Sequence, residues 1–299
     1  MDRIRSMVVG IDFTPASRSA LRQAMRIASW NRARLQVVHA LDPVLAQEFE
    51  MALPDTERGV SDRLVDELKR EWNEFSCQVE GAESIPFAID IDPPLAAVLR
   101  RVAHHRADLL VLGSHEGKSA RARAGSISNG CVRRAPTKVL IVREDQPAGF
   151  KNVVVCVDFS DTSREALAQG VRVALQDDAF LHVLHVFEMP WTRLRRGTPD
   201  VPGVEERYRQ ALPVRLRDFA ESMKSEMGYL VPEYSIVEAP DHGQAIADYV
   251  RNLASPLVVL GTRGRSSLHD LIVGSTAERV VAEAPCSILA IRPETPPAS

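Results

Sequence analysis

The sequence predicts an α/β protein made of two tandem domains, each a doubly wound, mostly parallel sheet flanked by helices. Three observations predict it. Four segments recur in the same order in the two halves of the chain. Within each half, short unalternated runs of Val, Ile and Leu separate helical patterns. A stretch rich in Asp, Gln, Pro and Gly divides the halves at Arg143–Phe150, giving domains at 1–146 and 151–299.

The repeat is explicit. Met7-Val8-Val9-Gly10-Ile11-Asp12-Phe13-Thr14 returns as Val153-Val154-Val155-Cys156-Val157-Asp158-Phe159-Ser160, 146 residues on (12 to 158). Leu35–Ala40 returns as Leu181–Val186, aligning His39 with His185 at that same offset. Leu109–Ser114 returns as Leu257–Thr262, now 148 residues on (113 to 261), and Ala135–Val142 returns as Ala284–Ile291. Self-similarity over a domain length is the mark of duplication.

The unalternated apolar runs suit strands buried on both faces of a parallel sheet. Helical spacing follows the first run of each half, at Ser17–Ala28 and at Ser163–Leu167. Leu64, Leu68, Trp72 and Phe75 form one helical stripe. Its counterpart, around Glu205–Met227, contains Pro213, which is expected to kink or divide it. Alternating strands and helices predict right-handed crossovers onto parallel strands. In such sheets ligands sit at the carboxyl ends of the strands, near the switch in strand order. Asp12 and Asp158, with Gly113 and Gly261, occupy those ends.

Bulk composition narrows the function. The 299 residues, 45% hydrophobic and 26% charged, describe an ordinary globular chain. A net charge of -3 leaves no basic excess for nucleic acid. The apolar stretch after Met1 stops at Asp12, too short for a signal sequence or a membrane span, and no later run is long enough. Cys77, Cys131, Cys156 and Cys286 lie far apart without a CxxC, so neither a zinc site nor a disulfide framework is expected. The expectation is a cytoplasmic protein with no membrane or nucleic-acid partner.

The second half carries the chemical signal. Strand four ends in Gly261-Thr262-Arg263-Gly264, and Gly274-Ser275-Thr276 opens the next helix. Glycines let a backbone approach a polyanion closely or take a positive φ. Ser275 and Thr276 bring hydroxyls to a helix start, whose N–H groups and dipole favour phosphate. A glycine turn that merely closes a strand–helix connection is the plainer alternative; the second Gly-Ser and the Asp ending strand one argue for a ligand loop.

The pattern Gly261-x2-Gly264-x9-Gly274-Ser275, with Val153–Asp158 and His185-Val186, resembles the ATP-binding signature of the universal stress protein family, in tandem over nearly the whole chain. The resemblance implies five-stranded parallel sheets and, in the nucleotide-binding members, bound ATP. It implies that Asp158 hydrogen-bonds the ribose or adenine and that backbone near Cys156, Val157 and Val186 frames the base. Leu260 and Gly261 would pack beneath the nucleoside, with Arg263, Gly264, Gly274, Ser275 and Thr276 around the phosphates. The resemblance leaves room for a divalent ion such as magnesium on the phosphates, but no acidic cluster marks a dedicated metal site.

The first half departs from this signature. Glu116 stands where the second glycine belongs, Gly117 is one place late, and Gly125-Ser126 falls one residue early. A carboxylate there repels phosphate, although Lys118, Arg121 and Arg123 lie nearby. This half therefore reads as a degenerate nucleotide domain. Gly113-Ser-His-Glu-Gly117-Lys118-Ser119 is not a Walker A loop, which needs four residues between its glycines.

Other signals read as structural. His39 and His185 sit at strand ends, in supporting rather than metal-binding positions. His104 and His105, adjacent on a helix, should point apart. Arg193, Arg195 and Arg196 suit a solvated loop, and Asp241-His242-Gly243 a capping turn. The last strands, Val139–Val142 and Ser287–Ile291, are natural edges for pairing the two domains, and a homodimer is compatible with this. The leading expectation is an ATP-binding stress-response protein that acts by nucleotide-dependent binding and signalling. The alternatives are a nucleotide-independent scaffold and a slow ATPase. An adenylating or pyrophosphatase-type enzyme is disfavoured, because no glycines follow Asp12 or Asp158.

Overall fold

A computed structural model describes residues 4–52, 60–114, 121–147, 149–193, 201–263 and 274–293. The chain divides into two compact units, Met1–Ala148 and Gly149–Ser299.

The first unit runs β1 (Ser6–Ile11), α1 (Pro15–Asn31), β2 (Arg34–Leu41), α2 (Pro43–Ala52), α3 (Val60–Ser76), β3 (Phe87–Ile91), α4 (Pro94–His105), β4 (Leu109–Ser114), α5 (Arg121–Arg134) and β5 (Lys138–Arg143). Its strand order is β3-β2-β1-β4-β5, and every pairing is parallel. The second unit runs β6 (Asn152–Cys156), α6 (Asp161–Asp177), β7 (Phe180–Phe187), α7 (Val204–Glu221), α8 (Lys224–Met227), β8 (Glu233–Glu238), α9 (His242–Val250), β9 (Pro256–Gly261), α10 (Ser275–Glu283) and β10 (Ser287–Ile291). Its order, β8-β7-β6-β9-β10, repeats the first and is again parallel throughout.

Burial explains the unalternated runs. All six residues of β1 and all five of β10 are buried, as expected where helices cover both faces. Met7, Leu21, Leu110 and Leu140 centre one core; Leu167, Leu184, Leu216 and Ile288 centre the other. The stripe on α3 ends in buried Trp72 and Phe75, with Leu64 and Leu68 half-buried above them.

The first helix of each unit starts alike. Thr14 caps α1 by accepting from the Ser17 N–H, and Ser160 caps α6 by accepting from the Ser163 N–H at 3.1 Å. Between strand and cap, Phe13 and Phe159 take left-handed backbone, φ 60 and φ 65. For a bulky residue this conformation costs about 1–3 kcal/mol, so the surroundings must impose it in both units.

Pro213 does not divide its helix: α7 continues through it to Glu221. Leu212 and Leu216 are buried on either side and hold the helix against the core despite the missing N–H. His104 and His105 do not point apart; their rings meet edge-on with centroids 5.0 Å apart. Both lie in the last turn of α4, where side chains have room to converge.

Candidate functional site

In the second unit the strand order reverses between β6 and β9, and a cleft of about 380 Å³ opens at the carboxyl ends of the strands there. Its walls come from the ends of β6, β7 and β9 and the start of α10, with Tyr208 and Arg215 of α7 and His242 and Ile246 of α9.

The end of β6 supplies Cys156, Val157 and Asp158. The Val157 N–H donates to the Leu184 carbonyl at 2.8 Å, so the backbone stays in sheet register up to the aspartate. Asp158 then turns the chain: its Oδ1 accepts from the Ser160 N–H at 3.0 Å and from the Ser160 hydroxyl. These bonds fix the carboxylate at the rim of the cleft.

The end of β7 supplies His185 and Val186. His185 is buried, and its Nδ1 lies 2.7 Å from the Val157 carbonyl oxygen. A carbonyl only accepts, so Nδ1 carries the hydrogen in the neutral ring and Nε2 is left as an acceptor. Burial holds the imidazole below its usual pKa; Arg215 and His242 push the same way, while the Val157 bond and Asp158 oppose them. The Phe159 ring leans on it, with centroids 4.5 Å apart.

The end of β9 and the start of α10 complete the cleft with Leu260, Gly261, Arg263, Gly274, Ser275 and Thr276. The two glycines do different work. A Cβ on Gly261 would lie 2.8 Å from Thr162 Cγ2, so the fold itself requires glycine where β9 meets α6. Gly274 has φ -64 and ψ 140, open to any residue, and a Cβ there would meet nothing nearer than the Thr262 carbonyl oxygen at 3.8 Å. The expected need for positive φ does not apply to it. Gly274 caps α10 without a side chain, and its N–H donates to the Thr262 carbonyl at 2.8 Å. The first turn of α10 therefore faces the cleft with backbone donors and no side-chain cap.

All but one of the candidate residues read from the sequence thus line one cleft; Gly264 lies outside the described residues. The sequence reading missed Phe159, Tyr208 and Arg215, and placed His185 and His242 in supporting roles although both reach the lining. Asp241 does cap α9, accepting from the Gln244 N–H at 3.1 Å. Arg195 and Arg196, and the side chain of Arg193, fall outside the described residues.

The first unit repeats the frame but not the loop. The His39 Nδ1 lies 2.9 Å from the Ile11 carbonyl oxygen, and the Asp12 carboxylate accepts from the Thr14 and Ser17 hydroxyls. Gly113 is again demanded by the fold, since a Cβ would come 2.5 Å from the Ala16 backbone. Gly125 and Ser126, however, lie inside α5, which begins at Arg121, whereas Gly274 stands at the start of α10. Glu116, Gly117 and Lys118 are outside the described residues.

A doubly wound parallel sheet, present here in tandem and with a cleft at the switch point of the second unit, defines the class of α/β fold in which small molecules bind at the strand ends. The chain belongs to the universal stress protein family: the sequence model of that family matches residues 3–143 and again 149–292. It is 27% identical over 301 residues to a universal stress protein of Mycobacterium tuberculosis, covering 96% of each chain. A universal stress protein of Thermus aquaticus is 33% identical over 146 residues, 48% of this chain and 99% of its own. The crystal structure of a universal stress protein from Archaeoglobus fulgidus shares the fold, with a TM-score of 0.68 at 18% identity over 96% of this chain and 98% of that one. Among the described residues no helix is long and apolar enough to cross a membrane, and no three His, Cys, Asp or Glu side chains are grouped to hold a metal ion.

Proposed function

We propose that the protein binds ATP in the cleft of the second unit and acts by nucleotide-dependent binding and signalling. The observation that carries this reading is the start of α10. Its first turn, at Gly274-Ser275-Thr276, has no side-chain cap and faces the same cleft as Asp158 and Arg263. A helix start with open N–H groups beside an arginine suits a polyphosphate, and a carboxylate at the opposite strand end suits a ribose hydroxyl.

In this reading Asp158 takes the ribose, and the backbone at Cys156, Val157 and Val186 frames the adenine. Leu260 and Gly261 form the floor. Arg263, Gly264, Gly274, Ser275 and Thr276 hold the phosphates, with a magnesium ion carried on them. The cleft's volume is of the size that holds a small molecule. The first unit is then a degenerate partner, because its Gly-Ser pair is built into a helix. Occupancy signals by favouring one of two states, which requires that ATP bind them unequally.

The test is calorimetric titration of ATP into nucleotide-stripped protein, with Gly274→Glu alongside. One site per chain, lost in the variant, supports the reading; binding that survives the variant overturns the placement. A second reading, a nucleotide-independent scaffold, draws on Gly113 and Gly261, whose packing role accounts for the first glycine of the loop pattern without a ligand. An absence of heat and an unchanged melting temperature with ATP would favour it.

A further inference from the structure

The two units share an aromatic corner that sets their helices in register. Phe159 meets Phe219 of α7 edge-on, with centroids 5.7 Å apart and planes at 83°; Phe13 meets Phe75 of α3 at 5.6 Å and 82°. An arginine from the first helix lies over the second ring in both, Arg164 over Phe219 at 4.6 Å and Arg18 over Phe75 at 5.8 Å. The strand histidines lean on the first rings alike, at 4.5 Å for His185 and 4.7 Å for His39. Phe219 and Phe75 are therefore equivalent positions.

One helical turn before each, on the same helix face, stand Arg215 and Glu71. Both are exposed. The Arg215 guanidinium lies 4.1 Å over the Phe159 ring and lines the cleft. The same place in the first unit therefore carries the opposite charge. Buried His185 and half-buried His39 register the inversion: Arg215 lowers the pKa of His185, and Glu71 raises that of His39 against the dominant effect of burial.

We propose that the charge at this helix position selects the anionic ligand, Arg215 drawing the nucleotide's phosphates into the second cleft and Glu71 turning the same ligand class away from the first. This deepens, and rests on, the reading that the second cleft binds ATP. The physics is simple. A fixed charge at the rim of a cleft acts on an approaching polyanion over a Debye length, about 10 Å at 0.1 M salt. The Phe159 face holds the guanidinium in place, so little ordering is needed when the ligand arrives. The selection is independent of the glycine loop, because Arg215 and Glu71 come from helices that contribute nothing to that loop.

The experiment titrates adenosine, AMP and ATP into nucleotide-stripped full-length protein, the parent beside Arg215→Glu and Arg215→Lys, at ionic strengths of about 0.01 M and 1 M, where the Debye length is about 30 Å and 3 Å. In Arg215→Glu, ATP affinity should fall roughly ten-fold or more at low salt. The loss should be smaller for AMP, absent for adenosine, and mostly erased at high salt. Arg215→Lys, which keeps the charge without the planar fork, should bind ATP nearly as the parent does. Equal losses for ATP and adenosine, a loss indifferent to salt, a Lys variant as weak as the Glu variant, or no loss at all would each overturn the proposal. Should the parent bind neither ATP nor adenosine, the ATP reading falls as well. A parent that binds while Arg215→Glu matches it sinks the selection alone.

Discussion

His185 donates its Nδ1–H to the Val157 carbonyl oxygen at 2.7 Å, and His39 repeats the bond to Ile11 at 2.9 Å. In each unit the accepting residue immediately precedes the aspartate that closes the central strand. The imidazole thus braces the turn that presents Asp158 or Asp12. It needs only one hydrogen to do so, and burial keeps both rings below the usual histidine pKa.

That depression carries a sign. A histidine with a lowered folded pKa is protonated more readily in the unfolded chain, so stability is full above the unfolded value of 6.5 and declines as pH falls below it. His39, His105, His182 and His185 are all lowered, and their effects add. Urea midpoints measured from pH 7.5 down to pH 5 should decrease, and His185→Gln should flatten the slope. A midpoint that rises on acidification would contradict the assignment.

The two loop glycines should separate stability from binding. Gly261→Ala drives a methyl into Thr162 and should cost about 1–3 kcal/mol, read as a lower thermal midpoint. Gly274→Ala has open space and ordinary backbone, so its melting curve should match the parent within about 0.5 kcal/mol. If both variants melt alike, the packing explanation of Gly261 is wrong.

If the carboxylate takes the sugar as proposed, Asp158→Ala should weaken ATP and adenosine to a similar extent, on the order of ten-fold. The variant also frees Ser160, so circular dichroism must confirm that α6 persists. A loss confined to ATP would move Asp158 away from the ribose.

The thiols should differ sharply in reactivity. Cys77 is exposed, whereas burial pushes the Cys131 thiol up to about 12 and Cys156 higher still. Only thiolates react quickly. With an aromatic disulfide reagent, Cys77 should label first in the native protein and all four cysteines after denaturation, followed by peptide mapping. Fast native labelling of Cys156 would mean that the base of the cleft is wetter than the structure shows.

The sheets were legible because burial on both faces leaves no room for polar alternation, and the repeat marked four of the five strands in each unit; β3 and β8 fell outside it. The backbone half of the cleft was equally plain, since strand ends and a Gly-Ser helix start follow directly from chain order. Its other wall was not. Phe159 reads as one more apolar residue, and nothing local marks its left-handed φ of 65. Arg215 and Tyr208 sit on α7, whose pattern announces only a buried stripe through Leu212 and Leu216. The place of Arg215 over Phe159, and of Tyr208 against Phe187 and Trp191, depends on packing between elements far apart in sequence. Pro213 does not divide α7, because helix propensity is a local quantity and the buried leucines beside it outweigh it.

Gly113 and Gly261 have consequences for how such a duplicated chain would drift. Each is pinned by the close approach of strand to helix, so a copy that stopped holding nucleotide would go on keeping that glycine for as long as it kept its shape. The positions free to change would be those resembling Gly274, where the backbone asks for nothing in particular and only the ligand objects. A fingerprint of this kind erodes unevenly, and its surviving first glycine is a relic of architecture rather than a record of binding.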